Sequence, residues 1–143
     1  MSATPLLGTW SLQSNYSETE DGQRFFPLGE DATGYISYSA DGFVFVHLMA
    51  HGRRPFSRND PFGGTEAEDS SAMKSHLSYA GTFEYNGAQV VHRVTHCSFP
   101  NWVGTEQVRQ VALVDTRLRL SVSGVLVDGK SVTAVLDWER ASA

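Results

Sequence analysis

Turn chemistry constrains this chain more than any other feature. Short runs rich in Val, Ile, Phe, Tyr and Thr stop at dipeptides such as Asp41-Gly42, Asn86-Gly87 and Asp128-Gly129. Positive backbone φ angles at such pairs suit tight antiparallel hairpins. Strands are expected near 9–17, 34–39, 43–49, 80–85, 89–97, 105–114, 118–123 and 132–139, with a short extra one near 23–26. About eight strands is the number at which a closed barrel is just wide enough to be filled by side chains or to hold one small ligand. Closure also removes exposed sheet edges. The fold class is therefore all-β, an antiparallel β-barrel, and one domain over residues 1–143 accommodates it.

One segment departs from this pattern. Residues 50–64 are rich in Arg, Pro, Gly, Asn and Asp, and Thr65-Glu66-Ala67-Glu68 then has the form of a helix capping box. Met73 and Leu77 lie four apart, so one short helix is expected from 65 to about 78, packed weakly on the barrel and capping a mouth.

Composition removes several function classes. The formal net charge is −5 and the basic residues form no run beyond Arg53-Arg54 with Arg58 nearby, whereas phosphate backbones demand clustered Lys and Arg. Nucleic acid and membrane are thus not expected as partners, and no apolar run reaches membrane length. The first residues lack the charged and apolar regions of a secretory leader. The lone Cys97 suits a reducing compartment, so a cytoplasmic location is expected. Oligomeric state is not readable. Phosphate-loop, dinucleotide and serine-hydrolase motifs are absent, and the histidines show no paired zinc spacing, although His92 and His96 fall on one strand face. No metal or cofactor is expected.

Hairpin parity assigns the side chains that face inward, because a loop with an even number of residues pairs odd positions of one strand with even positions of the next. Around Asn86-Gly87 the inner set is Gly81, Phe83 and Tyr85 with Val90, His92 and Val94, which places His92 roughly opposite Gly81. Around Asp115-Thr116, Gln107, Arg109, Val111 and Leu113 face inward with Leu118, Leu120 and Val122. In the hairpin at Ala40-Asp41 both faces are apolar. The aromatic set Ile36, Tyr38, Phe43, Phe45, His47 and Met49 is taken as interior. In the last hairpin simple counting puts Thr133, Val135 and Asp137 inward, against the apolar set Val132, Ala134, Leu136 and Trp138. A β-bulge near Gly124 would restore the apolar set to the core.

Two polar residues thus enter an apolar interior. Arg109 cannot shed its proton, so it needs either a carboxylate such as Glu84, Glu106, Asp137 or Glu139, or an anionic or carbonyl-bearing ligand. His92 is either a satisfied core histidine or a general acid or base. Tyr16, Tyr38, Phe45, His47, Phe83, Tyr85 and Trp102 complete the expected pocket wall, with Gln107 beside Arg109.

Gly8-Thr9-Trp10 resembles the Gly-x-Trp signature of lipocalins, and Trp138-Glu139-Arg140 supplies an Arg near the last strand that would pack on that Trp. Three further stretches, Thr33-Gly34-Tyr35-Ile36-Ser37-Tyr38, Tyr79-Ala80-Gly81-Thr82-Phe83-Glu84 and Phe99-Pro100-Asn101-Trp102-Val103-Gly104-Thr105, resemble the lipocalin-like domain family of small microbial proteins. The resemblance implies a lipocalin-like barrel with a pocket. It does not imply one reaction, because some relatives of this barrel type serve as cyclases or isomerases in natural-product pathways. The expected function is binding of a small, largely hydrophobic metabolite with a carbonyl or acidic group. The alternative is a cofactor-independent isomerase, cyclase or lyase of secondary metabolism, with His92 moving a proton and Arg109 stabilising an oxyanion. A third reading, an interaction module using the 53–62 loop, would require an exposed apolar patch there.

Overall fold

In the computed structural model, which describes residues 2–143, each turn signal closes a hairpin. The strands are β1 (Gly8–Glu18), β2 (Arg24–Phe25), β3 (Thr33–Tyr38), β4 (Phe43–Met49), β5 (His76–Tyr85), β6 (Gln89–Cys97), β7 (Glu106–Val114), β8 (Arg117–Val127) and β9 (Lys130–Arg140). Every pairing is antiparallel, and β1 pairs with both β3 and β9. Eight strands therefore close into a barrel, while β2 is a two-residue flap on the end of β1. Among the described residues, no helix is long and apolar enough to cross a membrane.

The two-residue turn Asp115-Thr116 brings Val114 opposite Arg117 and carries the parity expected of it: Leu118 and Leu120 are buried while Arg117 and Arg119 face out. The Asp128-Gly129 turn has positive φ at both residues, 49° and 77°, as a mirror-image type I turn requires. Between Val122 and Val125 the register slips against β9, at Gly124 with φ 72°. This is the expected bulge, and it returns Val132 and Trp138 to the interior. The short strand expected at 118–123 is β8, which runs on through the bulge to Val127.

The β3–β4 hairpin reverses the expected β4 face. Ser39 and Phe43 pair across three residues, Ala40-Asp41-Gly42, with Gly42 at φ 94°. An odd loop pairs even with even, so Tyr38 meets Val44 and Ile36 meets Val46. Val44, Val46 and Leu48 are buried, and Phe43, Phe45 and His47 point outward. A second parity change lies in β1. Trp10 and Leu12 are inside, but the register shifts between Leu12 and Ser14. Asn15 and Ser17 therefore take the inner face and Tyr16 the outer one, where the Arg24 guanidinium lies 4.0 Å above its ring.

A third irregularity falls between Ala80 and Gly81, where β6 carries one extra residue. The hairpin itself closes on Gly87-Ala88, with the Asn86 N–H donating to the Gln89 carbonyl, so His92 stands opposite Phe83 and Val94 opposite Gly81. The space at Gly81 is occupied by the β6 backbone, since a Cβ there would collide with the Arg93 carbonyl oxygen. His96, past the bulge, is exposed and leaves the face of His92.

One end is plugged. Leu6, in a short 3-10 turn at Thr4–Leu6, accepts a hydrogen bond from Trp10 Nε1 at 3.0 Å through its carbonyl, and both side chains are fully buried. The Arg140 guanidinium lies 4.0 Å above the Trp10 ring, in the stack implied by the resemblance, and donates to the carbonyls of Pro5 and Leu7. Helix α1 (Glu66–Lys74) begins at the expected capping box: Thr65 Oγ1 accepts from Glu68 N and Glu68 Oε1 accepts from Thr65 N. It stops four residues earlier than expected, because Leu77 and His76 pair with Leu48 and Met49 as the start of β5. None of its side chains is buried.

Candidate functional site

A cavity of about 180 Å³ lies inside the barrel, away from the Trp10 plug, with walls that are mostly Ile, Val, Leu and Trp. For scale, a dry engineered cavity of about 150 Å³ holds benzene. Arg109, Tyr79, Trp102, Asn15, Ser17 and Trp138 are its polar or aromatic residues.

Arg109 enters from β7 by the parity of the Asp115-Thr116 turn. Its guanidinium makes two long bonds to neutral acceptors, 3.3 Å to the Val108 carbonyl and 3.4 Å to Gln107 Oε1. Gln107 is held in turn by Thr105 Oγ1 at 2.9 Å. No carboxylate pairs with Arg109 among the described residues. The four that could have done so are engaged on the outer face: Glu84 and Glu106 with Arg93, Asp137 with Arg119, and Glu139 with Arg117. Trp102, in the 3-10 turn Pro100–Trp102, lies beside it, its ring 6.0 Å from the Arg109 Cζ and edge-on to Tyr79 at 5.8 Å.

Below this cluster is a buried row of three side chains. Tyr38 Oη is 2.8 Å from His92 Nε2, and Tyr79 Oη is 2.7 Å from His92 Nδ1. Burial first, and the nearby Arg109 charge second, lower the His92 pKa from 6.5 to about 3, so the ring is neutral at physiological pH. Burial pushes Tyr79 up to about 12 and Tyr38 well above its ordinary value. Three protons are thus shared over two contacts, and one must point elsewhere. Tyr38 is 1% exposed with no other partner among the described residues, so a free proton there would be buried and unpaired. The consistent arrangement has Tyr38 donating to Nε2 and Nδ1–H donating to Tyr79. The Tyr79 hydroxyl proton is then free, on a residue of the cavity wall.

The expected site residues divide accordingly. Arg109 and Trp102 line the cavity, and Gln107 braces Arg109. Tyr38, Phe83 and His92 are buried in the adjoining layer, with Phe83 edge-on to Tyr38 at 4.8 Å. His92 connects to the cavity through Tyr79 rather than lining it beside Arg109. Tyr85 sits by its own hairpin, its hydroxyl on the Gly87 carbonyl at 3.3 Å. Tyr16, Phe45 and His47 are outside the barrel, the last two in a shallow outer hollow with Tyr35 and His96. Among the polar and aromatic wall residues, three escaped sequence reasoning. Tyr79 shares the i, i+2 alternation of Gly81 and Phe83 and would have been found by extending that strand by one residue. Asn15 and Ser17 gave no such signal, since the bulge that turns them inward has no local mark.

Residues 7–141 match the model of a family described as a lipocalin-like domain. The 4'-hydroxy-3'-methoxypropiophenone carrier protein ppsC of Aspergillus oryzae is 34% identical in an alignment of length 104 that covers 66% of this chain and 94% of that protein. Among solved structures, a mutant of the fluorescent protein UnaG aligns over 98% of this chain and 99% of its own, at 15% identity and a TM-score of 0.44.

Proposed function

This chain belongs to the lipocalin-like domain family, and from that premise we propose that it is a carrier that holds one small, largely apolar molecule through a carbonyl or acidic oxygen. The observation behind this reading is the Arg109 guanidinium, which faces an apolar cavity with no carboxylate counter-charge and only two long bonds to neutral acceptors. A cation so placed favours a ligand oxygen, because hydrogen bonds to charged groups are stronger than neutral ones and gain further where water is excluded. The free Tyr79 proton offers a second donor to the same oxygen. The carrier named among the relatives supports an aryl ketone as the class to try first.

The row of Tyr38, His92 and Tyr79 weighs against the isomerase, cyclase or lyase alternative. Burial holds His92 at about 3, raises Tyr79 to about 12 and pushes Tyr38 well above its ordinary value, and general acid–base catalysis works best with a pKa near the operating pH. Within the carrier reading His92 is a positioning residue that turns the Tyr79 proton toward the cavity. A cytoplasmic place of work fits the unpaired Cys97.

The test is calorimetric titration with 4'-hydroxy-3'-methoxypropiophenone. Arg109→Met should keep the melting temperature and raise Kd about 10- to 100-fold, the loss of one charge-assisted hydrogen bond. Arg109→Lys should also weaken binding, since an ammonium does not reproduce the planar fork. Wild-type affinity in both variants would refute the role of Arg109.

A further inference from the structure

We infer that the cavity holds a second recognition subsite, formed by Trp138 Nε1 and Asn15 Nδ2, that takes a neutral oxygen at the far end of the ligand. These are the buried side-chain nitrogens without a hydrogen-bond partner among the described residues, and both residues line the cavity. Trp138 is 2% exposed. Buried polar groups in folded proteins are nearly always paired, so two orphans on one cavity wall call for an explanation. The other buried indole of the core is paired, Trp10 donating to the Leu6 carbonyl.

The placement follows from strand register. Trp138 on β9 pairs with Leu12 of β1, and the bulge at Gln13 turns Asn15 to the same inner face, opposite Leu136. The buried Ser17 continues that wall. Arg109 and Tyr79 come from β7 and β5, two and four strands round from β9 in a closed ring of eight, so Tyr79 stands across the barrel from Trp138. Both orphans donate and neither is charged, so they select an acceptor such as an ether, carbonyl or hydroxyl oxygen rather than a cation. The Arg109 side takes the carbonyl or acidic oxygen. The ligand class is therefore a small apolar body with acceptor oxygens at two ends. This deepens the carrier reading and rests on it.

The test compares 4'-hydroxy-3'-methoxypropiophenone, which has oxygens at both ends, with propiophenone, which has the carbonyl alone. Asn15→Leu and Trp138→Phe should weaken the first compound about tenfold each, roughly one hydrogen bond, and the second less than about twofold. Because Trp138→Phe perturbs the core, the same question is put to wild-type protein by nitrogen-15 NMR of the indole N–H groups. The Trp138 signal, assigned by its absence from the variant, should move downfield with the first compound and stay in place with the second. Equal weakening of both compounds, or an unmoved Trp138 signal with the first, overturns the subsite; if Arg109→Met still weakens binding, the carrier reading survives that result. Failure of wild-type protein to bind either compound overturns the aryl-ketone carrier reading and the subsite together.

Discussion

Acid should destabilise this protein through His92 in a way that a single substitution can isolate. The imidazole is 1% exposed and its pKa falls from 6.5 to about 3 on folding. The folded state thus binds the proton more weakly than the unfolded chain. Above 6.5 both states hold the neutral ring and the contribution is complete; as the pH falls from 6.5 toward 3, unfolding takes up a proton and stability is lost. Between pH 7 and pH 4 that loss amounts to about 3 kcal/mol from this one group. His92→Gln is the matching control, because its amide keeps one donor and one acceptor for Tyr38 and Tyr79 and does not titrate. Urea unfolding followed by tryptophan fluorescence at pH 7, 6, 5 and 4 gives the free energies for both proteins. Wild type should lose about 3 kcal/mol more than the variant by pH 4. Carboxylates that also lose stability in acid, such as Asp137 held below its ordinary pKa chiefly by the Arg119 hydrogen bond, act on both proteins and cancel. Parallel pH curves would refute the reasoning, because they would mean that His92 is not a buried neutral ring in the folded state.

Two stability predictions concern the frame around the site. Trp10→Ala removes a fully buried ring, its bond to Leu6 and the surface on which Arg140 stacks; the expected cost is about 3–5 kcal/mol in urea unfolding, and a loss under about 1 kcal/mol would contradict its role as the barrel plug. Gly81→Ala drives a methyl group into the Arg93 carbonyl at the β5–β6 bulge. It should lower stability by about 1–3 kcal/mol or more, seen as a drop in melting temperature, whereas an unchanged melting temperature would mean that the two strands do not approach so closely.

Much of the barrel is legible in the chain because hairpin parity is local. A two-residue turn such as Asp115-Thr116 decides which alternate residues share a face, and clear apolar alternation in Leu118, Leu120 and Val122 decides which face is buried. Arg109 could be placed inside on that basis alone, and the conflict in the last hairpin announced the bulge at Gly124. The β3–β4 hairpin lacked the second of these signals: with apolar residues on both faces, nothing local preferred Val44, Val46 and Leu48 over Phe43, Phe45 and His47, and a type I turn followed by a left-handed glycine inverted the count. The bulges at Gln13 and beside Gly81 had no sequence mark because they answer to closure, where each strand must bend and stagger to meet its neighbours around the ring. Those two irregularities turn Asn15 inward and Tyr16 outward, and take His96 off the face of His92. The residues that can meet a ligand were therefore specified half by turn length, which the chain carries locally, and half by the geometry of closing eight strands, which exists only once the barrel has formed.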